Sequence, residues 1–194
     1  MEAKDFIDKY IHELKRCLDK LDKREINQAI NLLMRAYKNK RKVFIMGNGG
    51  SASNASHMAS DLGKGTLKRV YDELEPRFKV YSLTDNVALL TAYGNDLSFE
   101  DIFVQQLRNL VEERDVVIAL SGSGNSKNVI RAIKYAKKRG AFTIGFLGFK
   151  TGGKLGTLVD CAVIADTDSY GVSEDIQLVL DHIITSFIAK VKDT

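Results

Sequence analysis

The residues best suited to chemistry form a short polar loop at 121–126, with the sequence SGSGNS. It follows the apolar run 116–120 and precedes an amphipathic pattern at 128–139, which predicts a buried strand, a tight loop and a helix. Serine hydroxyls and free amides would meet at a helix N-terminus, where the dipole favours an anion. Ser121, Gly122, Ser123 and Ser126 therefore form a candidate phosphate site.

A second glycine-rich loop, GNGGS at 47–51, follows the apolar run 43–46. It loosely matches a dinucleotide fingerprint, but Asp85 lies too far along to be the acidic residue expected about 20 residues later. Neither loop ends in the Gly-Lys-Ser/Thr of a nucleotide P-loop. We predict no nucleotide cofactor and a phosphorylated ligand between the loops; two ligand-free turns are the alternative.

Three further groups carry side chains that could do chemistry. His57 and Asp61 are four apart on a predicted helix and so share one face, where they could bind a metal, act as acid and base, or form a surface hydrogen bond. Asn95 and Asp96 could bind sugar hydroxyls or form a turn. Gln177 lies on a polar face of the last predicted helix.

Strand and helix patterns alternate after residue 40. Strands are predicted at 43–46, 79–84, 116–120, 142–147 and 161–165, with helices at 51–64, 99–111, 128–139 and 173–191. This alternation predicts an α/β three-layer sandwich with a five-stranded parallel sheet. The flavodoxin-like strand order 2-1-3-4-5 would put both glycine-rich loops side by side.

Two helical patterns precede the first strand, at about 6–21 and from residue 25. Their apolar stripe needs cover, which predicts an oligomer. We predict a single domain over 1–194, with 1–40 as a helical extension for oligomerisation.

The bulk properties exclude several classes. The chain has 194 residues, a net charge of +4 and 28% charged residues, which is ordinary for a globular protein. The basic run 38–42 contains no aromatic residue, so no nucleic-acid partner is predicted. Cys17 and Cys161 have no metal or redox spacing, and no apolar stretch reaches the ~18 residues of a membrane span. We predict a cytoplasmic protein without a membrane partner.

Together, residues 47–51, His57, 94–96, 121–126 and Gln177 resemble the SIS (sugar isomerase) domain, and within it the phosphoheptose isomerase group. This resemblance implies a cytoplasmic homotetramer that isomerises sedoheptulose 7-phosphate, often with bound zinc. It implies that the phosphate is bound by Ser121, Ser123 and Ser126, with Ser51 nearby. It also implies that the sugar is bound by Asn48, Gly49, Gly50, Asn95 and Asp96.

The family's metal and acid/base set is a His and a Glu four apart, then a Gln and a His eight apart on the last helix. This chain has Asp61 at the Glu position and Thr185 at the second His position. His182 lies about 140° round the helix from Gln177. We therefore expect it not to substitute simply, although it could serve a neighbouring subunit's site.

The leading functional prediction is aldose–ketose isomerisation of a sugar phosphate through an enediolate. Asp61 would be the base, His57 its partner or a metal ligand, and Gln177 an orienting or ligating group. With His57, Asp61 and Gln177 as the metal set, we expect weak zinc binding or none. The alternative, favoured by Thr185, is a non-catalytic SIS protein that senses a sugar phosphate or acts as an adaptor.

Overall fold

The computed structural model describes residues 2–192, and its centre is one fully parallel sheet with the strand order β2-β1-β3-β4-β5. The strands are β1 (Lys42–Met46), β2 (Lys79–Ser82), β3 (Val116–Ser121), β4 (Phe142–Leu147) and β5 (Cys161–Ile164). Every residue of β3 is buried, as expected for a strand covered on both faces. The predicted strands and their order are confirmed.

Within residues 2–192, eight α-helices surround the sheet. They are α1 (Ala3–Lys20), α2 (Lys23–Lys38), α3 (Gly50–Ser60), α4 (Val87–Asp96), α5 (Val104–Leu110), α6 (Lys127–Lys138), α7 (Phe149–Leu158) and α8 (Tyr170–Val191). A π-helical turn, Asp61–Gly65, continues α3, and a 3-10 turn, Phe99–Asp101, precedes α5. None of these helices within residues 2–192 combines the length and hydropathy needed to cross a membrane.

Two apolar cores confirm the predicted three layers. On one face of the sheet, α1, α2, α3 and α8 pack around a core that contains Leu33 and Ile45. On the other face, α5 and α6 pack around a core that contains Phe44 and Phe103. Since neighbouring residues of β1 point to opposite faces, Phe44 and Ile45 belong to different cores.

The sequence did not indicate α4 or α7. The turn considered for 94–96 is wrong, because these residues form the end of α4. Helix α7 was hidden because Lys150, Gly152 and Gly153 have non-helical backbone angles and interrupt its periodicity. The predicted helix 99–111 is divided between the 3-10 turn and α5.

The N-terminal helices form as predicted, but α1 is only partly covered within the chain. Cys17 is buried, whereas Phe6, Ile7 and Ile11 are exposed. Both cysteines are buried free thiols, and burial raises the pKa of Cys161 to about 12. Their environment is that of core residues rather than of reactive nucleophiles.

Candidate active site

The two glycine-rich loops lie side by side, as the strand order requires. The side-chain amides of Asn48 and Asn128 exchange two hydrogen bonds, each of 2.9 Å, across 80 residues of chain. Asn48 belongs to the loop after β1, and Asn128 lies in the first turn of α6 after the second loop. These two hydrogen bonds fix the position of one loop relative to the other.

The second loop forms one wall of a cavity of about 110 Å³. The cavity is lined by Asn48, Ser51, Leu120, Ser121, Gly122, Ser123, Ser126, Tyr170 and Glu174. Ser121 Oγ accepts a hydrogen bond from the Gly124 amide (3.1 Å) and so shapes the loop. Ser126 is the N-cap of α6 but makes no side-chain capping bond within residues 2–192, which leaves its hydroxyl available to a ligand.

The loop is fixed from behind by the irregular segment of α7. Gly124 has a φ of +63°, and a Cβ placed on it would lie 1.8 Å from the carbonyl oxygen of Gly152. Only glycine allows both this conformation and this approach. The Leu155 amide donates to the Gly124 carbonyl (3.0 Å), which ties the loop to α7. The phosphate loop is therefore preorganised by backbone contacts.

Two cavity residues, Tyr170 and Glu174, were missed as site residues. A polar position on a helix, such as that of Glu174, is usually just solvated, and Tyr170 precedes the predicted helix 173–191. A Cβ placed on Gly50 would lie 2.2 Å from Glu174 Oε2, so this carboxylate sits against the first residue of α3. The Glu174 side chain therefore occupies the anion-favouring N-terminus of α3. The loop at 47–51 contributes Asn48 and Ser51 to the cavity wall.

Asn95 and Asp96 lie apart from this cavity. Both are exposed at the end of α4, where Asn95 Nδ2 donates to Asp96 Oδ1 (2.9 Å), and neither lines the cavity. Their role in binding the sugar stays a prediction.

A cluster of imidazoles and carboxylates lies where α8 packs against α3 and the π turn. It consists of His57, Asp61, Asp181 and His182, each offering a ligand atom within 4.8 Å of the others. The Nε2 atoms of His57 and His182 are 3.2 Å apart. Asp61 Oδ2 lies 3.5 Å from His57 Nε2 and 3.9 Å from His182 Nε2. The four side chains are close enough to bind one cation together, or to transfer a proton from one to another.

Asp181 is the unusual member of the cluster. Its side chain is buried, and neither carboxylate oxygen has a hydrogen-bond partner among the described residues. Burial, with a contribution from the charge of Asp61, raises the pKa of Asp181 to about 7. Asp181 was not predicted as a site residue, although its place four residues after Gln177 was a usable signal.

His182, which we expected not to substitute simply for the missing histidine, lies beside His57 of its own chain. Its ring contacts that of His57 edge-on, with centroids 5.3 Å apart. The predicted angle between Gln177 and His182 around the helix is unaffected, but the cluster lies further along α8 than Gln177. His182 therefore reaches the imidazole of His57 without sharing a helix face with Gln177.

The family has a metal or acid/base glutamine and histidine at the positions of Gln177 and Thr185. In this chain both side chains form hydrogen bonds with groups other than the side chains of the cluster. Gln177 is buried; its amide oxygen accepts from Asn54 (3.2 Å), and its nitrogen donates to the carbonyl of Phe146 (3.4 Å). The Thr185 hydroxyl donates to the backbone carbonyl of Asp181 (2.8 Å). Roles for Gln177 in catalysis, substrate binding and metal binding stay predictions.

Comparisons with known proteins agree with this architecture. Residues 6–148 match the family model described as SIS domain. The chain is 38% identical over 163 residues to a phosphoheptose isomerase of Nitratiruptor, covering 84% of both chains. A phosphoheptose isomerase structure from Neisseria gonorrhoeae superposes with a TM-score of 0.85 at 28% identity, covering 97% of both chains. Another, from Francisella tularensis, gives 0.87 at 26% identity and covers 98% of this chain and 100% of that chain. The chain belongs to the SIS domain family and, within it, to the phosphoheptose isomerases.

Proposed function

We propose that this protein is an aldose–ketose isomerase that acts on a sugar phosphate, with sedoheptulose 7-phosphate as the expected substrate. The observation that carries the proposal is the position of the two site regions on one helix, α3. Ser51 lines the phosphate cavity near its start, and His57 is six residues further on. At ~1.5 Å per residue this is about 9 Å along the helix axis, which suits a sugar phosphorylated at one end and reacting at the other.

The proposed reaction moves one proton between neighbouring carbons. Asp61 would take the proton from the carbon beside the carbonyl, which gives an enediolate, and return it to the former carbonyl carbon. The His57 imidazole would carry a proton between the two oxygens, with its Nε2 held beside Asp61 Oδ2. A bound divalent metal would polarise the carbonyl and stabilise the enediolate charge. Gln177 would orient this end of the site through Asn54.

The proposal includes a homotetramer in the cytoplasm, with residues 1–40 as the oligomerisation extension of one domain over 1–194. Exposed apolar residues on α1 and α8 support an assembly, because such surfaces are usually covered. They are Phe6, Ile7, Ile11, Ile183 and Phe187. Ile183 is adjacent to His182, so the proposed contact surface borders the site. No nucleic-acid or membrane partner is included.

The alternative, a non-catalytic sugar-phosphate sensor or adaptor, rested on the loss of a histidine at position 185. The imidazole of His182 beside His57 weakens this argument, because the cluster retains two histidines. The relatives named as phosphoheptose isomerases also favour the enzyme.

The test is turnover on a panel of ketose and aldose phosphates, with and without zinc. In D₂O, an isomerase should also exchange the proton on the carbon beside the carbonyl, which NMR detects. Phosphate-ester binding without turnover or exchange on the panel would support the sensor and contradict the proposal.

A further inference from the structure

We propose that a cavity at the N-terminal ends of the strands is a second anion-binding site, which takes a small ligand carrying a diphosphate group on Arg35, Arg41 and Arg114. The cavity measures about 560 Å³, a volume in the range of small-ligand pockets. The site lies outside the proposed isomerase centre, and its existence does not depend on the isomerisation.

The cavity lies at the opposite edge of the sheet from the phosphate loop. Arg41 immediately precedes β1, Arg114 lies two residues before β3, and Phe142 is the first residue of β4. The glycine-rich loops, by contrast, follow the carboxyl ends of β1 and β3. At ~3.3 Å per residue, the length of β3 separates the two edges by about 16 Å. A ligand in this cavity would therefore be separate from the bound sugar phosphate.

The wall of the cavity is basic. Three guanidinium groups line it, and no acidic side chain of the described residues does. Within residues 2–192, Arg35 and Arg41 form no ion pair, and Arg114 Nε lies 3.7 Å from Glu113 Oε1 in a pair that is exposed to solvent. The planar fork of a guanidinium group matches two oxygens of one phosphate. Three such groups without acidic partners therefore favour a ligand with several phosphate oxygens.

The Arg41 side chain provides a second, independent observation. Its Nε atom is buried and has no hydrogen-bond partner among the residues that the structure describes. A buried N–H group without an acceptor is unfavourable, and a ligand oxygen would supply the acceptor. Since no protein acceptor holds this nitrogen, the side chain can turn into the cavity that it lines and present two N–H groups to a phosphate. The backbone stays fixed, because the Arg41 amide donates to the Ala36 carbonyl (2.8 Å).

The neighbouring residues hold the arginines at the cavity and extend it. The Arg35 guanidinium carbon lies 4.9 Å from the centre of the Phe142 ring, and the Asn39 side chain donates to the Arg35 carbonyl (2.8 Å). A second cavity, of about 460 Å³, is also lined by Arg35 and Phe142, so there is room for a group attached to the diphosphate. The basic run 38–42, which the phosphate loop and the cluster do not use, thus supplies Asn39 and Arg41 to this site.

The test is calorimetry with pyrophosphate on the full chain carrying Ser123→Ala and Ser126→Ala, so that the phosphate loop does not compete for the ligand. In this background one pyrophosphate per chain should still bind. Adding Arg35→Gln or Arg41→Gln should weaken binding at least about tenfold, since each removes a charge-assisted hydrogen bond. Arg108→Gln, which makes the same change of charge at an exposed position of α5, should leave the affinity within about twofold.

Two further probes define the class of ligand. Malonate, which carries two carboxylates and no phosphate, should bind at least about tenfold more weakly than pyrophosphate. ADP tests whether the adjoining cavity accepts a nucleoside. An affinity for ADP at or above that for pyrophosphate would identify a nucleoside diphosphate as the ligand, and a lower one would identify the free diphosphate; either result supports the site.

Thermal unfolding keeps the proposal falsifiable if a variant is perturbed. Because the Arg41 side chain has no protein partner to lose, Arg41→Gln should not unfold at a lower temperature than its parent. Pyrophosphate should raise the unfolding temperature of the parent and of Arg108→Gln, and should raise that of Arg41→Gln by less. Arg35→Gln gives the same readout if Arg41→Gln fails to fold. No pyrophosphate binding in the serine-free background, unchanged affinity in both arginine variants, or equal affinity for malonate would each overturn the proposal.

Discussion

The phosphate loop and the imidazole–carboxylate cluster are built in different ways. Residues 121–126 form the loop from backbone conformation, small hydroxyls and one helix start, all set by a continuous stretch of sequence. The cluster needs side chains from α3, the π turn and α8, with His57 and His182 separated by 125 positions. A local motif therefore defines the first region, whereas the relative placement of two helices defines the second.

The largest effect is expected from a substitution that removes the base of the cluster and leaves the phosphate loop intact. Asp61→Asn keeps the shape of the side chain but removes the proposed base, so kcat should fall about 10²–10⁴-fold. Affinity for inorganic phosphate, measured by calorimetry, should stay unchanged because the loop is a separate structure. A parallel loss of phosphate affinity would contradict this separation; His12→Ala is the control for turnover.

The second prediction removes hydroxyls from the loop. Charge-assisted hydrogen bonds contribute about 1.5–3 kcal/mol each, so the double variant Ser123→Ala, Ser126→Ala should bind sugar phosphate at least about 10²-fold more weakly. Its zinc affinity should not change. Retained sugar-phosphate affinity in calorimetry would show that these hydroxyls do not hold the ligand.

The third prediction tests the backbone support of the loop. Gly124→Ala introduces a Cβ into the carbonyl of Gly152 at a positive φ, and should lower the unfolding temperature by roughly 5–10 °C. Gly94→Ala is the matched control, because Gly94 lies inside α4 and the new Cβ would be 3.8 Å from Ile102 Cγ2, an ordinary van der Waals contact. This control should be neutral or stabilising by about 0.5–1 kcal/mol. Equal unfolding temperatures for both variants would refute the close-approach argument.

The smallest effect is expected at the position where the family comparison calls for a histidine. Thr185→Val removes the hydrogen bond to the Asp181 carbonyl, and should change the unfolding temperature by less than about 4 °C. Turnover should stay within about twofold, since the hydroxyl donates to a backbone carbonyl of its own helix. A more than tenfold loss of turnover would contradict this expectation and would indicate that Thr185 contributes to catalysis.

The sequence was sufficient for the sheet order, the two glycine-rich loops and the pairing of His57 with Asp61, because each depends on local pattern or on general chain topology. It was insufficient for Asp181 and His182. Helical periodicity gives the angle between positions on α8, but not how α8 lies against α3. Glu174 was missed for the same reason. Helix α7 was missed because its glycines serve the contact with Gly124 rather than helical propensity.

The distance along the chain between the halves of the cluster has a consequence for folding order. His57 and Asp61 are in the first third of the chain, whereas Asp181 and His182 lie on its last helix. During synthesis, β1, β3 and the loop at 121–126 can be in place well before α8 has emerged. A nascent or C-terminally shortened chain would thus present the serine loop without the reactive cluster. The cluster is complete only after α8 has packed against α3. A chain that lacks α8 would therefore not catalyse the proposed isomerisation.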